Sequence, residues 1–322
     1  MKKFILPLIM GIGSLGVLAQ NKHCFTDEAM KVWFKTHPEM QKEYLRLQEE
    51  AAAQDKIDYT NAYKKNGNKT AAVAAYTIPV VFHVLHLGGS ENISDAQIKD
   101  AVKVMTRDYR KQNADTTNII AAFKPLAADI NFEFQLATKD PSGNCTTGIT
   151  RHFTAGTDWT GNPGEFFNTW PSNQYLNIYV VRSINTGQNA AAYTFLPGSV
   201  GGGMDAIVSL HDYVGSIGTS SPFRARTLTH EAGHWFNLAH VWGGTNQPGI
   251  SCGNDGVTDT PITKGYSYCP GSAAAAAICN PTITENYQNY MEYSYCDIMF
   301  TQGQSARMTT CINNTVMGRN NL

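Results

Sequence analysis

HEAGHWFNLAH, residues 230–240, is the stretch on which the reading of this 322-residue chain turns. On a helix, His230 and His234 lie one turn apart on the same face, so both imidazoles can reach one metal ion. Glu231 follows the first His and points to the side of that pair. From there it can touch a metal-bound water without being a ligand itself. His240 lies six residues past His234, too far to stay on that face if the helix continues. It rejoins the pair only if the chain turns sharply near Asn237. Three neutral imidazoles and one water make the open tetrahedral arrangement of catalytic zinc. The bland alternative, two helix-face His with ordinary packing roles, leaves the third His and the adjacent Glu unexplained.

Composition sets the compartment. The chain carries 25 basic and 26 acidic residues, a net charge of −1. Nucleic-acid binding would call for a basic surplus or basic clusters, and none is present. The first 20 residues, MKKFILPLIMGIGSLGVLAQ, place two lysines before an apolar run that is short for a membrane span. They read as a secretory signal peptide, so the expected mature protein is secreted, with no stable membrane insertion and a monomer favoured. Seven cysteines in an exported chain point to disulfides with one thiol left over. Cys252, Cys269, Cys279 and Cys296 cluster in the last quarter and allow three pairings. Cys145–Cys311 is a candidate third bridge, which leaves Cys24 as the odd one.

Residues 21–75 differ in texture from the rest of the chain. Met30, Trp33, Phe34, Met40, Tyr44 and Leu47 recur at helical spacing among dense charge. Asn61 to Thr70, NAYKKNGNKT, reads as an exposed linker. The segment is either a helical propeptide or a helical decoration without a special role. From Tyr76 onward, YTIPVVFHVLHL, INFEFQLAT and QYLNIYVVRSI read as strands, Asp95 to Tyr109 as a helix capped by Ser94, and the stretch around Phe223 to Phe236 as the metal helix. Beyond Gly243, Gly, Pro, Asn, Thr and Cys dominate and regular elements become scarce. The chain ends at GRNNL without a terminal cap or tail, which is compatible with a longer natural product.

By the His motif, the cysteine cluster and NYMEY at Asn289–Tyr293, the chain resembles the metzincin metalloproteases, and within them the pappalysin (cytophagalysin-type, M43-like) branch. The resemblance runs from about Tyr76 to the end. It rests on the extended His signature, the Met segment, GNDGVTDTP at Gly253–Pro261 and two interlocked cysteine pairs, preferred as Cys252–Cys279 with Cys269–Cys296. One departure stands at Asn237, where the general signature has Gly. Asn tolerates the left-handed conformation better than other non-glycine residues do.

The resemblance implies an α+β catalytic domain over residues 76–322, with a twisted mixed five-stranded sheet, a backing helix, an active-site helix and an irregular disulfide-stapled C-terminal subdomain. It implies one catalytic zinc on His230, His234 and His240, with Glu231 as general base and then general acid. Met291 would form the apolar Met-turn beneath the metal, and Tyr293 would donate to the developing oxyanion. Ordinary core packing is the competing reading for both. Asp255 and Thr260 match positions that hold structural calcium in such enzymes, against a plain Asx-turn loop. Asp297 matches an acid at the floor of the pocket for the residue after the scissile bond, against a surface Asp. It would favour Arg or Lys there. Cys24 is similar to the cysteine switch of related pro-segments, a thiolate in zinc's fourth position; the alternative is a stray thiol or an intermolecular disulfide. Protein or peptide substrates would bind extended along an edge strand.

Two rival readings compete with this one. A thermolysin-like site would take its third ligand from a Glu on a later helix, yet Glu285 and Glu292, the only glutamates after Glu231, sit in no helix-like run. A secreted zinc-stabilised binding module would use a closed four-ligand site and would not need Glu231.

Overall fold

The computed structural model describes residues 23–65, 76–187, 189–244, 247–273, 276–314 and 317–322. The expected signal peptide, residues 1–20, lies outside them. In chain order the main elements are β1 (His23–Cys24), α1 (Thr26–Thr36), α2 (Pro38–Lys65), β2 (Tyr76–His86), α3 (Asp95–Tyr109), β3 (Phe132–Leu136), β4 (Ile149–Phe153), β5 (Asp158–Trp159), β6 (Leu176–Val181), β7 (Ser183–Ile184), β8 (Ala190–Tyr193), β9 (Ile207–Leu210), α4 (Thr227–Trp235) and α5 (Gln302–Asn313).

The sheet runs β8-β9-β6-β2-β3, mixed as expected, with β8 antiparallel to β9 and the other pairs parallel. Two additions make it seven-stranded. β1 pairs parallel with β8, and β4 continues alongside β2 beyond the end of β3. Parallel strands covered on both faces are apolar almost throughout. β2 obeys this rule, being buried without a break from Val80 to Leu85. Its Ile78, Val80, Phe82 and Val84 join the main core with Ile98 and Met105 of α3 and Leu228, Ala232 and Trp235 of α4. α3 begins as expected, the Ser94 side chain accepting from the Gln97 amide.

Three expectations need correction. Asn61–Lys65, read as linker, belongs to α2; Gly67 is the first residue there that opposes a helix, so local propensity allows the extra turn. α5 forms where the composition predicts few regular elements; Thr301 and Gln304 spell its capping box, with both reciprocal bonds formed. Finally, Cys145 and Cys311 form no disulfide. Cys145 sits in an exposed turn opposite Lys139, whereas Cys311 is buried in α5 against Ala51 and Met317, so the two cannot meet.

The preferred pairs, Cys252–Cys279 and Cys269–Cys296, are both formed, with Cα atoms 5.8 and 5.6 Å apart. Each bridge spans 27 residues of a region with little regular structure, and closing such a loop stabilises the fold by about 3–4 kcal/mol in the chain-entropy account. Inside that region Glu285 acts as a bracket. Its carboxylate accepts from the amides of Lys264, Ile278 and Cys279 and the hydroxyls of Thr263 and Tyr266. It is a structural anchor, far from the part a third metal ligand would play.

Candidate metal centre

The helix that carries the site ends where Asn237 takes φ +73°. The Leu238 amide donates to the Gly233 carbonyl and the Asn237 amide to the His234 carbonyl, the paired bonds of a Schellman ending. That left-handed residue swings His240 back to the helix. The Nε2 atoms of His230, His234 and His240 then lie 3.1, 3.2 and 3.3 Å from one another.

The opposite ring nitrogens decide what this triangle means. His230 Nδ1 contacts the Tyr290 carbonyl at 2.7 Å and His234 Nδ1 the Leu238 carbonyl at 2.7 Å. A carbonyl can only accept, so each Nδ1 carries the proton and each neutral ring turns an Nε2 lone pair toward the shared centre. His240 Nδ1 likewise meets Asp27 Oδ2 at 2.8 Å. Burial, with His240 as the next cause, lowers His230 to about 3 and His234 well below its ordinary value, keeping both neutral. Three converging lone pairs repel unless a cation sits between them. Four-coordinate zinc, with Zn–N near 2.0–2.1 Å, would space its nitrogens about 3.3–3.4 Å apart. The residues fit that ion.

Cys24 completes the group. Its Sγ and the ligand nitrogens of the three His all lie within 4.8 Å of one another, and all four residues are buried. β1 carries it there. The His23 amide donates to the Asn189 carbonyl and the Phe25 amide to the Ala192 carbonyl, so the strand lies along β8 and covers what is otherwise a sheet edge. Cys24 Sγ is 3.5 Å from Glu231 Oε2, and Thr26 Oγ1 donates to the same oxygen at 3.3 Å. Burial pushes the Glu231 carboxyl up to about 8, against the bonds from Cys24 and Thr26 that lower it. Glu231 Oε1 is buried without a hydrogen-bond partner among the described residues.

The Tyr293 ring packs against His230 and His240, and its hydroxyl donates to the Cys24 carbonyl at 2.9 Å. Burial raises its pKa well above the ordinary value, so it remains a donor. Met291 is fully buried, its Sδ packed against the helix at Gly233. A Cβ on Gly233 would stand inside contact distance of Met291 Sδ. Gly233→Ala would gain about 1 kcal/mol of helix propensity, yet overpacking costs about 1–3 kcal/mol. The clash is expected to win, with a thermal midpoint below wild type in the metal-free protein; an unchanged or raised midpoint would refute it.

Asp297 lines a cleft of about 430 Å³ together with His230, Glu231, Tyr293 and Arg226. Burial raises its carboxyl well above the usual range, with Arg226 pulling the other way. Arg226 itself donates to the Asp297 backbone carbonyl and, in a fork, to both Asp115 oxygens. At Asp255, Oδ1 accepts from the Val257 amide at 2.9 Å and the Thr260 hydroxyl at 2.5 Å, the Asx-turn pattern. Oδ2 is buried with no partner among the described residues. Asp259 serves instead to anchor the start of α5, accepting from the Thr301 hydroxyl and the Gly303 amide.

Sequence reading missed Asp27, Thr26 and Gln48. No local motif marks them, because each acts on a residue about 190 or more positions away.

The chain is similar to several known proteins. Residues 165–313 match the profile of a family, Peptidase_M43, described as Pregnancy-associated plasma protein-A. An extracellular metalloprotease of Arthroderma benhamiae is 28% identical over 241 residues, 73% of this chain and 77% of that protein. Mature mirolysin of Tannerella forsythia, solved with a cleaved peptide, is 34% identical with a TM-score of 0.70, over 78% of this chain and 96% of that one. A promirolysin mutant of the same organism is 31% identical with a TM-score of 0.77, over 93% of this chain and 97% of that one.

Proposed function

This chain belongs to the M43 metallopeptidases, and from that premise we propose that it is a secreted zinc endopeptidase made latent by its own residues 21–75. The observation that carries the proposal is the convergence of three buried, neutral Nε2 donors beside the Glu231 carboxyl. His230, His234 and His240 would hold the ion, and Met291 would floor their cage. Bound zinc would polarise the scissile carbonyl and acidify water at the site. Glu231 takes a proton from the attacking water and returns it to the departing amine. Tyr293, already donating to a peptide carbonyl, donates to the scissile oxygen as negative charge develops there.

Residues 1–20 act as signal peptide, 21–75 as pro-segment and 76–322 as catalytic domain. The match to a promirolysin over 93% of this chain, against 78% for mature mirolysin, supports a pro-segment. The relatives named extracellular metalloproteases support export. No helix among the described residues is long and apolar enough to cross a membrane. Once β1 leaves, substrate would lie extended along β8. The unpartnered Asp255 Oδ2 supports a structural calcium at Asp255 and Thr260.

Asp297 would select Arg or Lys after the scissile bond, since a carboxyl raised by burial gains most from a cationic partner. The testing experiment is a mass-spectrometric cleavage map on an unfolded protein, run with Asp297→Asn in parallel. Wild type should cut before Arg and Lys. The variant should lose that preference by about 10- to 100-fold, the worth of a hydrogen bond to a charged group. Cleavage without the preference discards the Asp297 role and keeps the enzyme. No cleavage by the processed, zinc-loaded protein would favour the non-catalytic binding module.

A further inference from the structure

Each imidazole of the cage is aimed by a bond at its other nitrogen, and the three acceptors differ in origin. Tyr290 and Leu238 offer backbone carbonyls from the catalytic domain itself. The acceptor for His240 is Asp27 Oδ2 at 2.8 Å, a carboxylate from α1 in the pro-segment. His240 is fully buried and the Asp27 side chain is 15% exposed, so water screens the pair weakly. We propose that Asp27 is a positioning residue of the metal centre, present only before processing, which makes the proenzyme hold zinc more tightly than the mature enzyme. The inference rests on the zinc reading of this site and concerns which residue aims its third ligand.

A carboxylate acceptor fixes the tautomer and orientation of a ligating His and raises its basicity; loss of such a partner typically lowers metal affinity 10- to 100-fold. His240 is the ligand with most need of aiming. It leaves the helix through the left-handed Asn237, whereas His230 and His234 are held by consecutive turns of α4. The pro-segment braces that excursion at both ends. Gln48 of α2 donates to Asn237 Oδ1 at 2.8 Å, while Asp27 holds the ring of His240. α1 is itself docked through Met30 and Phe34 in the core, and the Trp33 indole donates to the Ser199 carbonyl at 3.0 Å. Asp27 is therefore supplied from a fixed helix. Trp242 and Tyr293, also packed on His240, come from the catalytic domain and survive processing.

The test is zinc affinity by chelator competition on the full chain, comparing wild type, Asp27→Asn, Cys24→Ala and the double variant. Asp27→Asn should weaken zinc 10- to 100-fold, and the double variant should bind zinc more weakly than Cys24→Ala by a similar factor. Thermal midpoints with and without zinc add a readout that a purely structural role would not give: the zinc-dependent part should shrink while the metal-free midpoint moves little. Equal affinity of wild type and Asp27→Asn, or of Cys24→Ala and the double variant, would overturn the proposal. Should Asp27→Asn fail to fold, the Cys24→Ala chain before and after release of residues 21–75 supplies the comparison. Processing should weaken zinc by the same factor, and no change overturns it. A wild-type chain that takes up no zinc would overturn both this proposal and the metal reading.

Discussion

Glu231→Gln is expected to abolish peptide cleavage while leaving the zinc content and the fold in place. The amide matches the carboxyl in size, so the fully buried position stays filled, and Thr26 Oγ1 keeps an oxygen to donate to. What the amide cannot do is take a proton and give it back. General acid–base groups contribute about 10²- to 10⁴-fold, and each tenfold loss equals about 1.4 kcal/mol of transition-state stabilisation. The processed variant should therefore show kcat/KM reduced at least 100-fold, with unchanged zinc by elemental analysis. Retained cleavage would move the proton-transfer role elsewhere in the cleft. Loss of zinc together with cleavage would show that Glu231 supports the cage rather than the chemistry.

Cys24→Ala is expected to yield an uncut chain with at least tenfold more activity than the wild-type proenzyme, and faster self-processing. Removing the thiol takes one ligand atom out of the four-residue cluster and opens the space beside Glu231 to water. β1 itself should persist, because its bonds to Asn189 and Ala192 are made by the backbone. Burial and the nearby Glu231 raise the thiol's pKa, which would hold it protonated and a poor ligand on its own. A divalent cation at the centre reverses that preference, since a coordinating thiol is deprotonated. Latency that is unchanged in Cys24→Ala would leave the blocking to β1 and α1 alone. Measuring peptide hydrolysis before any cut between residues 21 and 75 separates the two.

Much of this protein was legible because the deciding relations are short. The four-residue spacing of His230 and His234 is the period of the helix, and Asn237 three residues on is among the few types that accept the turn it makes. The apolar run of β2 announced a strand, and Ser94 announced the start of α3. Such signals are local because backbone hydrogen bonds and φ/ψ preferences act over a few residues. Even α5 is written locally, in the capping box of Thr301 and Gln304.

What tertiary structure alone decided are the meetings of residues far apart. Cys24 and Glu231 are 207 positions apart, and Asp27 and His240 are 213 apart. No spacing rule ties them; they meet because β1 lies along β8 and delivers the start of α1 into the cleft. The same holds for thiols: Cys145 and Cys311 were paired on count alone, and the fold put one on the surface and the other in the core. The sequence by itself determined which residues can hold a metal and move a proton. The packing of the sheet decided which partner each of them has, since that depends on where whole elements come to rest once their apolar faces are buried.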